Sequence, residues 1–304
     1  MALRLFKEPT LEKPDMIASW PGIGNIGLIA TDMLRGQTDA EEFAEIEPWD
    51  FFYPKKVIIK GGVLEDLAFP TSKFYYKKLA KRDLIIFLGE EQPTATGRMY
   101  ARGRKAYEMT NLVLDLAEQF GCRRVYTSGA AVALTHHAAK PRVWAVTSSH
   151  ELGKEVRSYD NTILMNEVEG RGNQGSVTGL NGLLLGAAKK RGLEAICLMG
   201  EIPDYLSSAA FPYPRAARSV LELFTKILGI EISYTTFDSM AIQVDEIIEG
   251  IYGKLPAEIR ERIEQRKLIV PAKAGAISEE DEKWIKEHID ELFRKRGSGD
   301  EGAT

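Results

Sequence analysis

Residues 16–27 read MIASWPGIGNIG: an apolar run from Met16 to Trp20, a proline, then glycines at Gly22, Gly24 and Gly27 that lead into helical spacing as far as Arg35. A short apolar run closed by Pro and Gly and followed by a helix is one β-α unit of a sheet with parallel strands. The same rhythm recurs along the chain. Residues 84–88, LIIFL, lie between Arg82-Asp83 and Gly89 and are apolar throughout, as a central strand covered on both faces requires. Further strands are expected over 42–46, 124–128, 143–147 and 195–199. Helices are expected over 97–120, with Gly121 as a left-handed C-cap, over 180–191 and over 216–228. Apolar runs at 57–60 and 63–67 flank Gly61-Gly62, which supplies the positive φ angles of a hairpin turn, and this hairpin is expected at a sheet edge.

From residue 240 the character changes. Met240, Val244, Ile247, Ile248, Ile251 and Tyr252 form a helical stripe, and Pro256 opens a charged helix to Lys267, with a short strand at most over 268–270. After Ser278 a last amphipathic helix bears Trp284, Ile285, Ile289, Leu292 and Phe293. The expected organisation is an α/β core over 1–239, a helical appendage over 240–296 and a frayed tail over 297–304.

Composition narrows the function classes. With 304 residues, 44% hydrophobic and 28% charged, the chain can fill a large core, which excludes disorder, collagen and a disulfide scaffold. Its net charge of −4 belongs to residues 278–304, where nine acids face five bases, so no basic excess is left for a nucleic-acid backbone. Cys122 and Cys197 read as small buried hydrophobes in a reducing cytoplasm. Charges and prolines interrupt the first 15 residues before a signal-like run forms, and no membrane span is legible.

Glu47 lies 20 residues beyond Gly27, so the glycine ladder has the spacing of a dinucleotide fingerprint, in which glycines let the backbone approach a pyrophosphate and the acid takes the ribose. The same glycines would equally serve a tight turn and close helix packing. Strand ends elsewhere are also small or polar: Gly22 and Asn25, Glu90 and Gln92, Ser128 and Gly129, Gly200 and Glu201. Together with Gly179 and Asn181 at a glycine-rich helix start, they are candidates for one ligand crevice at the C-terminal ends of parallel strands. Ordinary turn chemistry explains them as well. His136, His137 and His150 lack metal-ligand spacing, since neighbours on a helix or strand point apart. No nucleophile with a base beside it is legible, so no catalytic residue, metal or cofactor is assigned.

The strings ASWPGIGNIG (18–27), FLGEEQP (87–93), YTSGA (126–130) and the long run 175–232 beginning GSVTGLNG resemble, in this order, the proteasome assembly chaperone 2 family in its archaeal form. The resemblance covers about residues 15–235. It implies a three-layer α/β/α fold with a mostly parallel sheet, similar to the purine nucleoside phosphorylase type, homo-oligomers, and contact with α subunits of the 20S proteasome. Some archaeal members dock through a C-terminal hydrophobic-Tyr-any tripeptide; this sequence ends Gly302-Ala303-Thr304, so that route is not expected. The chain is expected to be a non-enzymatic, cytoplasmic, chaperone-like factor, with Trp284, Ile285, Ile289, Leu292 and Phe293 as a partner-binding face. The alternative is an enzyme or sensor that binds a nucleotide-like or nucleoside-like ligand in the crevice.

Overall fold

The computed structural model describes residues 2–93, 103–167, 175–267 and Lys283. Its strands are β1 (Leu3–Leu5), β2 (Asp15–Ser19), β3 (Glu41–Ile46), β4 (Lys56–Lys60), β5 (Val63–Ala68), β6 (Ser72–Lys77), β7 (Leu84–Gly89), β8 (Arg124–Ala133), β9 (Val143–Thr147), β10 (Thr162–Leu164) and β11 (Glu194–Pro203). Its helices are α1 (Ile26–Gln37), α2 (Arg104–Gln119), α3 (His150–Arg157), α4 (Gly179–Lys190), α5 (Pro214–Leu228), α6 (Thr235–Tyr252) and α7 (Ala257–Gln265).

Nine strands form one sheet in the order β1-β3-β6-β7-β2-β8-β11-β9-β10. Parallel pairing runs through the centre, β7-β2-β8-β11, and returns at the edge between β9 and β10. The flanks formed by β1, β3 and β6, and the β11-β9 step, are antiparallel. Central strands alternate between two covered faces. Ile17, Ile86, Tyr126, Ile196 and Leu198 face α1, α3 and α5, with α6 and α7 behind them, whereas Met16, Ala18, Ile85, Phe87 and Val125 face α2 and α4. Every residue of β2 is buried, which is why its sequence carries no polar alternation. The three-layer α/β/α fold with a C-terminal helical region is therefore as expected. The stripe on α6 is spent within the chain, with Val244 and Ile248 in the same buried cluster as Phe224 of α5.

The strand expected at 42–46 lies three strands from β2, antiparallel to β6. Two sequence expectations change. β8 and β11 each run to ten residues, so Ser128, Gly129, Gly200 and Glu201 are strand interior and not strand end. The hairpin forms, but outside the main sheet, as a separate ribbon of β4 and β5. Its register sets Val57 opposite Leu67 and Ile59 opposite Leu64, which places four aliphatic side chains on one face. Among the described residues nothing covers that face: Val57, Ile59 and Leu64 are 52%, 67% and 65% exposed.

The helix expected over 97–120 is described from Arg104, and the strand expected over 268–270 lies outside the described residues. So do the candidate partner residues Trp284, Ile285, Ile289, Leu292 and Phe293.

Candidate functional site

The turn after β2 is built by two successive left-handed residues, Gly24 (φ 59°) and Asn25 (φ 47°). Its glycines have separate tasks. Gly24 lies under Tyr213 and Ile202, and its carbonyl accepts a hydrogen bond from the Tyr213 amide at 2.8 Å. A Cβ on Gly27 would stand 2.5 Å from the Ser128 carbonyl oxygen, so this glycine lets α1 lie directly on β8. Gly22 alone is extended and open, with nothing within 4 Å of a built Cβ. Glu47 follows β3, three strands from β2, about 14 Å away at ordinary strand spacing. The dinucleotide reading thus fails: the acid is remote, and the start of α1 is roofed by the segment after β11.

The crevice candidates also separate. The Ser128 hydroxyl faces α1, 3.4 Å from the hydroxyls of Ser19 and Thr31. Gly200 lies against α5, where a Cβ would meet the Ala216 carbonyl at 2.8 Å. Glu90 accepts from the Thr71 amide at 3.1 Å and lies 3.5 Å from Lys55 in an exposed turn. Glu201 is buried, and its carboxylate accepts from the Arg142 amide and Nε, both at 2.9 Å, and from Trp144 Nε1 at 2.6 Å. It is a structural bracket. Gln92 donates to the Pro21 carbonyl at 2.7 Å and accepts from the Leu180 amide at 3.2 Å, tying the turn after β2 to the first turn of α4.

What remains together is Gly22, Gly129 and Asn181. With Trp144, Cys197 and Met199 they line a cavity of about 190 Å³ on the α4 face of the sheet, at the start of α4, where Gly179 is the first helical residue. Asn181 is 7% exposed and its Oδ1 has no hydrogen-bond partner. Burial pushes the Cys197 thiol up to about 11, and the Cys122 thiol is raised for the same reason, so neither is a ready nucleophile. Trp144 was not legible as a site residue, because its partner Glu201 is 57 positions away across an antiparallel step.

A second polar cluster fastens the helical appendage. His136 and His137 lie in the loop after β8, in neither helix nor strand, and their rings stack at 4.0 Å instead of pointing apart. His136 Nδ1 accepts from the Ala138 amide at 3.0 Å; His137 Nδ1 lies 2.8 Å from the Tyr205 hydroxyl and its Nε2 3.2 Å from Glu249 of α6. Glu264 of α7 approaches His136 Nε2 at 3.7 Å and accepts from the Tyr252 hydroxyl at 2.6 Å. Asp204, just after β11, forms a buried two-point ion pair with Arg266 behind α7. Among the described residues, no group of three or more His, Cys, Asp or Glu is placed to hold a metal ion.

Burial holds both histidines neutral: His136 falls to about 4, helped by the charges of His137 and Lys267, and His137 is also lowered. Above the ordinary histidine pKa of about 6.5, folded and unfolded chains are both neutral here and stability is complete. As pH falls from there toward 4, only the unfolded chain takes up the protons, at a cost of about 1.4 kcal/mol of stability per pH unit for His136. The thermal midpoint is expected to drop steadily between pH 6.5 and 4.5 and to drop less in His136→Gln. An equal slope in that variant would show that the loss arises elsewhere.

Among the described residues no helix is long and apolar enough to cross a membrane. Residues 16–251 match the model of the PAC2 family. The chain is 30% identical over 276 residues to the uncharacterized protein MJ1210 of Methanocaldococcus jannaschii, covering 90% of this chain and 93% of that one. Two crystal structures from Pyrococcus furiosus share the fold. PbaB, an archaeal proteasome activator, has a TM-score of 0.67 and 31% identity, covering 82% of this chain and 97% of its own. PbaA, an archaeal homolog of proteasome-assembly chaperone, has a TM-score of 0.60 and 23% identity, covering 88% and 98%. With the family matched across both faces of the sheet and on into α6, this chain belongs to the PAC2 family.

Proposed function

We propose that the chain is a chaperone-like factor that assists assembly of 20S proteasome α subunits through protein-protein contacts, with the β4-β5 hairpin as its contact element. The observation that carries this is the uncovered aliphatic face of the hairpin. A two-stranded ribbon is marginal in water on its own, and one that leaves Val57, Ile59 and Leu64 mostly exposed gains stability when a partner covers them. Likeness to an archaeal proteasome activator at 31% identity supports the choice of partner. Two buried, unpaired cysteines fit the reducing cytoplasm in which such a factor works. Self-association is part of the same proposal, so the mass of the chain alone in solution should exceed that of a 33.9 kDa monomer.

The double variant Ile59→Lys/Leu64→Lys tests it. Both side chains face solvent, so the melting midpoint should change little, since exposed substitutions stay within about 0.5 kcal/mol. In size-exclusion chromatography with light scattering, the wild-type chain should co-migrate with proteasome α subunits and the double variant should not. A wild-type chain that never co-migrates, or a variant that does so equally, would refute the proposal.

A further inference from the structure

We propose that the cavity between β9, α3 and the turn after β10 is a binding site for a small phosphorylated molecule, a phosphate monoester with an organic body of nucleoside size. It shares no residue with the hairpin, and its occupancy does not depend on the assembly role.

The cavity has a volume of about 520 Å³, inside the roughly 300–1,000 Å³ of ordinary ligand sites. Its bases come from two helices. On α3, His150, Gly153, Lys154 and Arg157 stand at i, i+3, i+4 and i+7, so they share the helix face that lines the cavity, and Lys189 of α4 lines it as well. No Asp or Glu stands among the described residues of the lining, although acids and bases balance in the chain before residue 278. Ala145, Val146, Leu164 and Met165 add apolar wall for the body of a ligand. Lys154, Arg157 and Lys189 lie in the last turns of their helices, where a cation complements the helix dipole. That accounts for the sign of each charge and not for their meeting at one cavity.

Which charges are already spent names the ligand. Arg157 is paired with Glu167, which also accepts from the Leu164 amide at 3.3 Å, so this ion pair fastens α3 to the end of β10. Glu151 is outside the lining, and its carboxylate is held by its own backbone amide and by the Ser149 hydroxyl. Among the described residues Lys154 and Lys189 have no ion-pair partner. An anion therefore meets two ammonium groups and no free arginine fork. The fork grips a flat carboxylate at two points, whereas two point charges match a phosphate dianion. Gly153 lies between these bases and is buried. Glycine inside a helix costs about 1 kcal/mol against alanine, yet here neither a positive φ nor close packing requires one: a Cβ would meet Leu164 Cδ1 and Thr147 Oγ1 at an ordinary 3.5 Å. Both of those residues line the cavity, so the missing side chain deepens its floor.

The experiment titrates the full chain at low salt with adenosine and uridine 5′-monophosphates, read by calorimetry and saturation-transfer NMR. The free nucleosides and inorganic phosphate are the controls. At least one nucleotide should bind saturably at one site, and its nucleoside and inorganic phosphate each about tenfold more weakly, since each keeps only part of the contacts. Lys154→Gln/Lys189→Gln should weaken the nucleotide about tenfold or more and leave the melting midpoint in place, because both side chains are exposed. Lys78→Gln/Lys81→Gln removes the same charge from exposed positions outside the cavity and should change the affinity less than about twofold. No saturable binding of either nucleotide up to about 10 mM, a nucleoside or inorganic phosphate that binds as tightly as the nucleotide, or equal affinities in the two double variants would overturn the site.

Discussion

Gly27→Ala is expected to cost the fold about 3 kcal/mol, at the upper end of ordinary overpacking. Helix propensity alone predicts the opposite sign, because alanine inside a helix is better than glycine by about 1 kcal/mol. Contact decides the outcome: the new Cβ would stand 2.5 Å from Ser128 O, 2.6 Å from its carbonyl carbon and 2.7 Å from its Oγ. Two of these three atoms are strand backbone, so relief requires α1 to lift off β8, and α1 also packs against α5. The midpoint of denaturant unfolding should therefore fall. If Gly27 were present to admit a phosphate, the same change would raise the midpoint and abolish a ligand, so the sign of the shift separates the two roles. Gly129→Ala, with open space in front of its Cβ, should leave the midpoint near the wild-type value.

Arg266→Met is expected to cost about 3–5 kcal/mol, because Asp204 would remain buried without its counter-ion. Asp204 also accepts from the Tyr205 amide at 2.9 Å, which fixes its carboxylate in the turn after β11 and prevents it from swinging to solvent. The damage should be directional. Arg266 directly follows α7, so amide hydrogen exchange should quicken first in residues 257–265 and then in α6, while β2, β7 and β8 stay protected. Adding Asp204→Asn should recover part of the loss, since no buried charge is then left unpaired. Unchanged protection in α7 would show that the aliphatic contacts of Ile259 and Ile263 suffice to hold the appendage.

Strands covered on both faces were legible in the sequence, because burial on two sides favours an unbroken apolar run: MIA and LIIFL are the cases. β6 was not, since SKFYYK buries Phe74 and leaves Lys73 and Lys77 at the surface, a pattern too short and too charged to declare itself. The lengths of β8 and β11 were misread because Gly129 and Gly200 look like turn residues. In the fold they are strand positions whose side chains were removed for separate reasons, a helix at one and a cavity at the other. Of the crevice candidates, Gly22, Gly129 and Asn181 line one cavity. Glu201 does not join them as a ligand group, because its antiparallel neighbour strand brings Arg142 and Trp144 to it. Such partners come from strand order, which local sequence does not display.

The assembly role is tested most directly by mixing isolated proteasome α subunits with this chain and following ring formation over time by native mass spectrometry. The wild-type chain should give a transient species that contains both proteins and should raise the yield of complete α rings. Ile59→Lys/Leu64→Lys, equally stable, should give neither. Ring formation at the same rate and yield with and without the wild-type chain, and no mixed species, would contradict the account.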